Sequence, residues 1–115
     1  VTCAVSPDGK YVAVRHHSVL RLFEMGTGRQ VGLHEAEDEW HFPNRFLADG
    51  KSLLTNYGTP PKNGRTGGGT AVVSVPDVKI VERFPNRIVL GLAADETTAF
   101  CLTVDEKRTP AGYEL

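Results

Sequence analysis

Ser6-Pro7-Asp8-Gly9-Lys10 stands between two apolar runs, Cys3-Ala4-Val5 and Tyr11-Val12-Ala13-Val14, and decides how the chain is read. An Asp side chain accepts a hydrogen bond from its own turn backbone, and a Gly supplies positive φ without a Cβ clash. The segment is therefore a tight turn between two strands. The same pattern returns twice, as Arg45-Phe46-Leu47-Ala48-Asp49-Gly50-Lys51-Ser52-Leu53-Leu54-Thr55 and as Gly91-Leu92-Ala93-Ala94-Asp95-Glu96-Thr97-Thr98-Ala99-Phe100 with the strand that follows. The turn aspartates Asp8, Asp49 and Asp95 are 41 and 46 residues apart. In the third copy Glu96 replaces the Gly, so a different turn type is expected there.

The rest of the chain fits an all-β fold. Val19–Phe23, Ala71–Val75, Ile88–Ala93 and Ala99–Val104 are short runs rich in β-branched and aromatic residues. Several are apolar at consecutive positions, as in strands covered on both faces. No window shows sustained helical spacing with caps.

A repeat of about 40–45 residues with four short strands suits a propeller blade. The expected strands of blade one (residues 2–34) are Thr2–Ser6, Tyr11–Arg15, Val19–Phe23 and Arg29–Leu33. Blade two (41–84) comprises Phe42–Ala48, Ser52–Asn56, Thr70–Val75 and Lys79–Phe84. Blade three (87–115) begins with Ile88–Ala93 and Thr98–Val104, and its third strand starts near Tyr113. A competing register comes from Phe42-Pro43-Asn44-Arg45, which recurs as Phe84-Pro85-Asn86-Arg87, 42 residues on. The turns take precedence, because turn geometry fixes hairpin register.

Ser6-Pro7-Asp8-Gly9-Lys10-Tyr11-Val12-Ala13-Val14, then Leu20-Arg21-Leu22-Phe23-Glu24 and Thr27-Gly28-Arg29-Gln30-Val31, resemble a bacterial WD-repeat blade. Thr55-Asn56-Tyr57-Gly58 and Val73-Ser74-Val75-Pro76-Asp77 are similar to the YVTN-type propellers. The resemblance implies blades of four-stranded antiparallel sheets and an interaction surface. Phe23-Glu24 stands where the WD family often has Trp-Asp, and Gly32-Leu33-His34 is the nearest approach to its Gly-His. Arg15-His16-His17-Ser18 lacks the aspartate that pairs with that histidine, so no residue of the family's polar network is carried over. A closed propeller needs at least about four blades. The chain is thus expected to be an incomplete ring: a fragment whose remaining blades lie in cis, or one completed by another copy of the chain. Of these two the fragment is favoured, and the start on Val1 rather than Met is read as a cut or processed one.

Composition excludes little but directs the search. The net charge is −1, with both signs interspersed. Nucleic-acid and membrane-surface binders usually carry a basic excess, and neither partner is expected. Cys3 and Cys101 lie in apolar stretches and read as two buried thiols.

Candidate chemistry is sparse. His34-Glu35-Ala36-Glu37-Asp38-Glu39-Trp40-His41 lacks the spacing of a helical zinc motif and the alternating oxygens of a calcium loop. It is expected to be a solvated acidic connector. Asn63-Gly64-Arg65-Thr66-Gly67-Gly68-Gly69-Thr70 opens a strand rather than a helix, so it reads as a flexible hairpin loop and not a phosphate cradle. No serine sits in a nucleophile elbow, and Cys101 has no flanking cation. No catalytic residue, cofactor or metal is assigned.

Binding is more promising. Connections of one parity fall on one rim of an up-and-down sheet, and function concentrates on such loops. His16–Ser18, His34–Trp40 and Thr59–Gly69 share that parity. They nominate His16, His17, Glu37, Asp38, Trp40, His41, Lys62 and Arg65 as a surface for a protein or peptide, although Trp40 also suits a plug sealing the seam between blades. The alternative is a YVTN- or lactonase-like propeller enzyme acting on a small substrate at the central channel.

Overall fold

A computed structural model describes residues 2–16, 18–35, 38–59, 67–103 and 110–114, the last as backbone only. Eleven strands are present among the described residues, with no helix. β1 (Thr2–Val5), β2 (Tyr11–His16), β3 (Val19–Glu24) and β4 (Gln30–Glu35) form the first sheet. β5 (Trp40–Phe46), β6 (Ser52–Gly58), β7 (Gly68–Ser74) and β8 (Ile80–Pro85) form the second. β9 (Arg87–Leu92), β10 (Thr98–Thr103) and β11 (Pro110–Glu114) form a third of three strands. Each sheet follows chain order with every pairing antiparallel. All strands therefore connect to their sheet neighbours by hairpins.

The three Asp turns are superimposable in their bonding. Gly9 N–H donates to Ser6 O at 2.9 Å, Gly50 N–H to Leu47 O at 3.0 Å, and Glu96 N–H to Ala93 O at 2.9 Å. The aspartate Oδ1 accepts the amide two residues on in each copy: Lys10 at 3.0 Å, Lys51 at 2.9 Å and Thr97 at 3.1 Å. Gly9, Gly50 and Glu96 have φ of 74°, 67° and 60°. The third turn is thus of the same type, contrary to the expectation from its missing Gly. A side chain is forced into the left-handed region, and Glu96 uses that pose: both its carboxylate oxygens accept the Ala48 amide of the neighbouring turn, at 2.9 and 3.2 Å. The lone non-glycine residue at this turn position is thereby tied to the next sheet.

A second repeated turn joins the third and fourth strands. Gly28 N–H donates to Glu24 O at 2.8 Å, and Val78 N–H donates to Ser74 O at 3.0 Å. Gly28 has φ 71° and Val78 has φ 55°. A β-branched residue in this region is strained. Burial offsets the strain, since Val78 is only 4% exposed and joins the core between the first two sheets.

The sheets stack face to face. Ala13, Leu20 and Leu22 of the first pack on Phe46, Leu53 and Val73 of the second. Leu54 of the second packs on Val89, Ala99 and Cys101 of the third. Strand alternation makes both seams possible, because adjacent Leu53 and Leu54 point to opposite faces. A bulge between Pro43 and Arg45 adds a further adjustment. Across β6, which is regular, His41 pairs with Tyr57 and Phe46 with Leu53, so an odd and an even position of β5 both face the first sheet.

Phe42-Pro43-Asn44-Arg45 lies wholly within β5, whereas Phe84-Pro85-Asn86-Arg87 spans the end of β8, the turn at Asn86 and the start of β9. The tetrapeptides therefore do different structural jobs. Cys101 is buried as expected, but Cys3 is exposed. Cys3 pairs with Val14 on the outer face of the first sheet, one pleat step away from Ala4 in the core.

Two glycine substitutions separate backbone strain from crowding. Gly9→Ala meets no atom within 4 Å, so only its φ is penalised, whereas Gly26 has the same free space and no positive φ. Gly9→Ala is expected to lower stability by about 1–2 kcal/mol and Gly26→Ala to leave it nearly unchanged, as read by urea midpoints. At Gly32 a Cβ would sit 2.3 Å from both Pro76 O and Val78 Cγ2. Gly32→Ala should destabilise by about 1–3 kcal/mol because it wedges the first seam, and a wild-type midpoint would reject that packing.

Candidate functional site

The C-terminal ends of β2, β4 and β6 lead into the connections to β3, β5 and β7. Arg15, at the end of β2, places its guanidinium carbon 4.2 Å from the Phe42 ring centroid on β5. His34, near the end of β4, meets His41 edge-on with ring centroids 4.9 Å apart. These contacts bring the loop-bearing ends of the first two sheets together.

A buried polar cluster lies directly beneath. Glu39 and His41 are two residues apart on either side of Trp40, so extended backbone points them the same way. Glu39 Oε1 lies 2.6 Å from His41 Nε2 and 2.8 Å from Arg83 Nη1. His41 Nδ1 lies 2.8 Å from Thr55 Oγ1. Thr55 and His41 are 0% and 3% exposed, so the bond between them is shielded from water. Tyr57 stacks on His41 at 5.7 Å between centroids, and the Arg83 guanidinium carbon lies 5.0 Å from the Tyr57 centroid.

The charge states follow from these partners. Burial pushes the Glu39 carboxyl up, but the hydrogen bonds from His41 and Arg83 outweigh it and hold it below its ordinary value. Burial pushes the His41 imidazole down, and the bond to Glu39 restores only part of that shift. An ionised Glu39 and a neutral His41 assign the protons: Nε2–H donates to Glu39, and Nδ1 accepts from the Thr55 hydroxyl. The chain thus holds a fully bonded imidazole whose tautomer is set from both sides.

The expectation of a solvated acidic connector is corrected at its C-terminal end. The Glu39 side chain is 15% exposed and ion-paired. Burial of β5 against the first sheet extends two residues further than the apolar pattern indicated, because the strand starts at Trp40 and not Phe42. Among the nominated rim residues, Asp38 is exposed, Trp40 is half-buried and His41 is interior. His16 closes β2 on the same edge. His17, Glu37, Lys62 and Arg65 lie outside the described residues. Arg15, Glu39, Phe42, Thr55 and Arg83 were not nominated, yet they carry much of the chemistry here. The Glu39-Trp40-His41 alternation was the available signal for the first of these pairs.

Two up-and-down antiparallel sheets of four strands and a third of three, stacked face to face and not closed into a ring among the described residues, have the architecture of β-propeller blades. No protein-family model and no curated protein matches the chain. Among solved structures it is similar to the WD40 domain of SCAP from fission yeast, at 14% sequence identity and a TM-score of 0.47. The alignment covers 99% of this chain and 30% of that one, so the chain spans less than a third of its neighbour's length.

Thr55→Val tests the buried bond while keeping the side-chain shape. It leaves His41 Nδ1 without its donor and should destabilise the chain by about 1–3 kcal/mol in urea unfolding. An unchanged midpoint would mean that the hydroxyl does not serve His41.

Proposed function

We propose that the chain is part of a propeller scaffold that binds a protein or peptide over the edge carrying His16, Asp38, Trp40 and Phe42, with no catalytic step of its own. The observation that supports this best is the aromatic content of that edge. Phe42 is 37% exposed beneath the Arg15 guanidinium, and half-buried Trp40 lies two residues away. Trp and Arg are the residue types that most often anchor protein interfaces, and loops over a rigid scaffold are where binding concentrates. His17, Glu37, Lys62 and Arg65 belong to the connections that flank this surface in the chain, and they extend it in this reading.

The outer sheet faces support the scaffold half of the proposal. Val5 and Leu33 on the first sheet are 53% and 45% exposed, and Leu90 and Phe100 on the third are 56% and 52% exposed. Apolar faces of this kind are covered in a finished propeller by neighbouring blades, here supplied in cis or by another copy of the chain.

The test is affinity capture with quantitative mass spectrometry, followed by direct binding to the partner so identified. The double variant Trp40→Ala, Phe42→Ala is expected to lose at least about tenfold in affinity while keeping the wild-type circular dichroism. A wild-type Kd in the folded double variant rejects this surface.

A further inference from the structure

His34, Glu39 and His41 each present one donor atom, and the three atoms lie within 4.8 Å of one another. Two of them already serve each other, since His41 Nε2 and Glu39 Oε1 are hydrogen-bonded. The third does not: His34 Nε2 is shielded from solvent and has no hydrogen-bond partner among the described residues. A buried nitrogen left in this state forfeits the hydrogen bonds it made to water in the unfolded chain and is unfavourable. It lies at the mouth of a cluster whose other two donors sit within reach.

We propose that His34, Glu39 and His41 form a three-ligand site for a divalent transition metal of the zinc class, clasping β4 of the first sheet to β5 of the second. Two imidazoles and a carboxylate, with a fourth position left to water or a partner group, form a recognised donor set for that ion. Metal–nitrogen bonds of about 2.0–2.1 Å hold tetrahedral ligand atoms roughly 3.3 Å apart. The widest separation must therefore close by roughly 1.5 Å, while the Glu39–His41 pair opens to admit the ion. A small swing of the half-buried His34 ring supplies the closure.

The surroundings suit this exchange. Metal at His41 Nε2 moves the imidazole proton to Nδ1, where Thr55 Oγ1 can accept as readily as it donates. A ligating histidine whose other nitrogen is held by a hydroxyl is oriented and tautomer-locked. Arg83 bonds Oε1 of Glu39, and a carboxylate oxygen can keep such a bond through one lone pair while it ligates through the other.

The experiment uses the chain and metal alone, so it does not depend on the partner-binding reading and can fail without it. Zinc is titrated by calorimetry, and cobalt(II) is added as a spectroscopic probe. The wild type is expected to take up about one equivalent and to show the intense visible bands of four-coordinate cobalt. His34→Gln and Glu39→Gln, checked for folding by circular dichroism, should each weaken binding by at least about tenfold. Cys3→Ser, which removes an exposed thiol outside the cluster, should not. Absent heat and absent bands in the wild type overturn the site. So does a His34→Gln variant that binds as tightly as the wild type, which would mark the uptake as adventitious.

Discussion

The hydrogen bond from the amide of Lys10, Lys51 or Thr97 back to the aspartate two residues earlier is the constraint on which this fold rests. Each bond closes a turn whose third position needs positive φ, and the turn fixes which residues of the flanking strands stand opposite. In a sheet with side-chain period two, a slip of one residue would carry every inward side chain to the outer face. Ala13 would exchange with Val12 and Leu53 with Leu54, and neither seam would survive. Packing then rewards the register that the turns impose. The Lys10 amide and the Ser6 hydroxyl, in that order, hold the Asp8 carboxyl below its usual range, so the clamp stays ionised at neutral pH.

Strand order and the two blade-like repeats were legible because turn chemistry is local. Asp and Gly announce themselves within five residues, and the apolar alternation around them is short and regular. What escaped is also instructive. Glu96 hides a left-handed turn, since the penalty for a side chain there is met by a contact with Ala48, 48 residues away in sequence. Val78 hides another, with its strain offset by burial beneath Gly32. Both are cases where tertiary packing overrides a local preference, and no window of sequence contains the compensating partner.

The candidate site shows the same division. The stretch from His34 to His41 looks like water-loving charge when read by itself, and its exposed member Asp38 agrees. Glu39 departs because Arg83 arrives from β8, and His41 departs because Thr55 arrives from β6. Neither partner can be paired with the segment by spacing alone. The one local signal was the Glu39-Trp40-His41 alternation, which predicts a shared face once the residues are known to be extended. Cys3 and Cys101 make the point in reverse: two equally apolar settings, one buried and one exposed, separated only by which face each sheet presents.

The site and the open faces are linked through a single seam. β5 carries Phe46 into the core with the first sheet and His41 into the polar cluster, and the bulge between Pro43 and Arg45 lets one strand do both. Below the bulge the contact is apolar and insensitive to charge. Above it a chain of hydrogen bonds from Arg83 through Glu39 and His41 to Thr55 runs within the second sheet, and the first sheet meets that chain at the edge of the His34 ring against His41. Such bonds are directional where apolar packing is not, so they fix the pose of the His41 ring against which His34 of the first sheet packs. The same bonds anchor Glu39 and His41 on either side of Trp40, at the start of the strand that carries Phe42. The cluster thereby positions the surface proposed for recognition, with His41 and Thr55 buried and Glu39 and Arg83 partly exposed at its outer end.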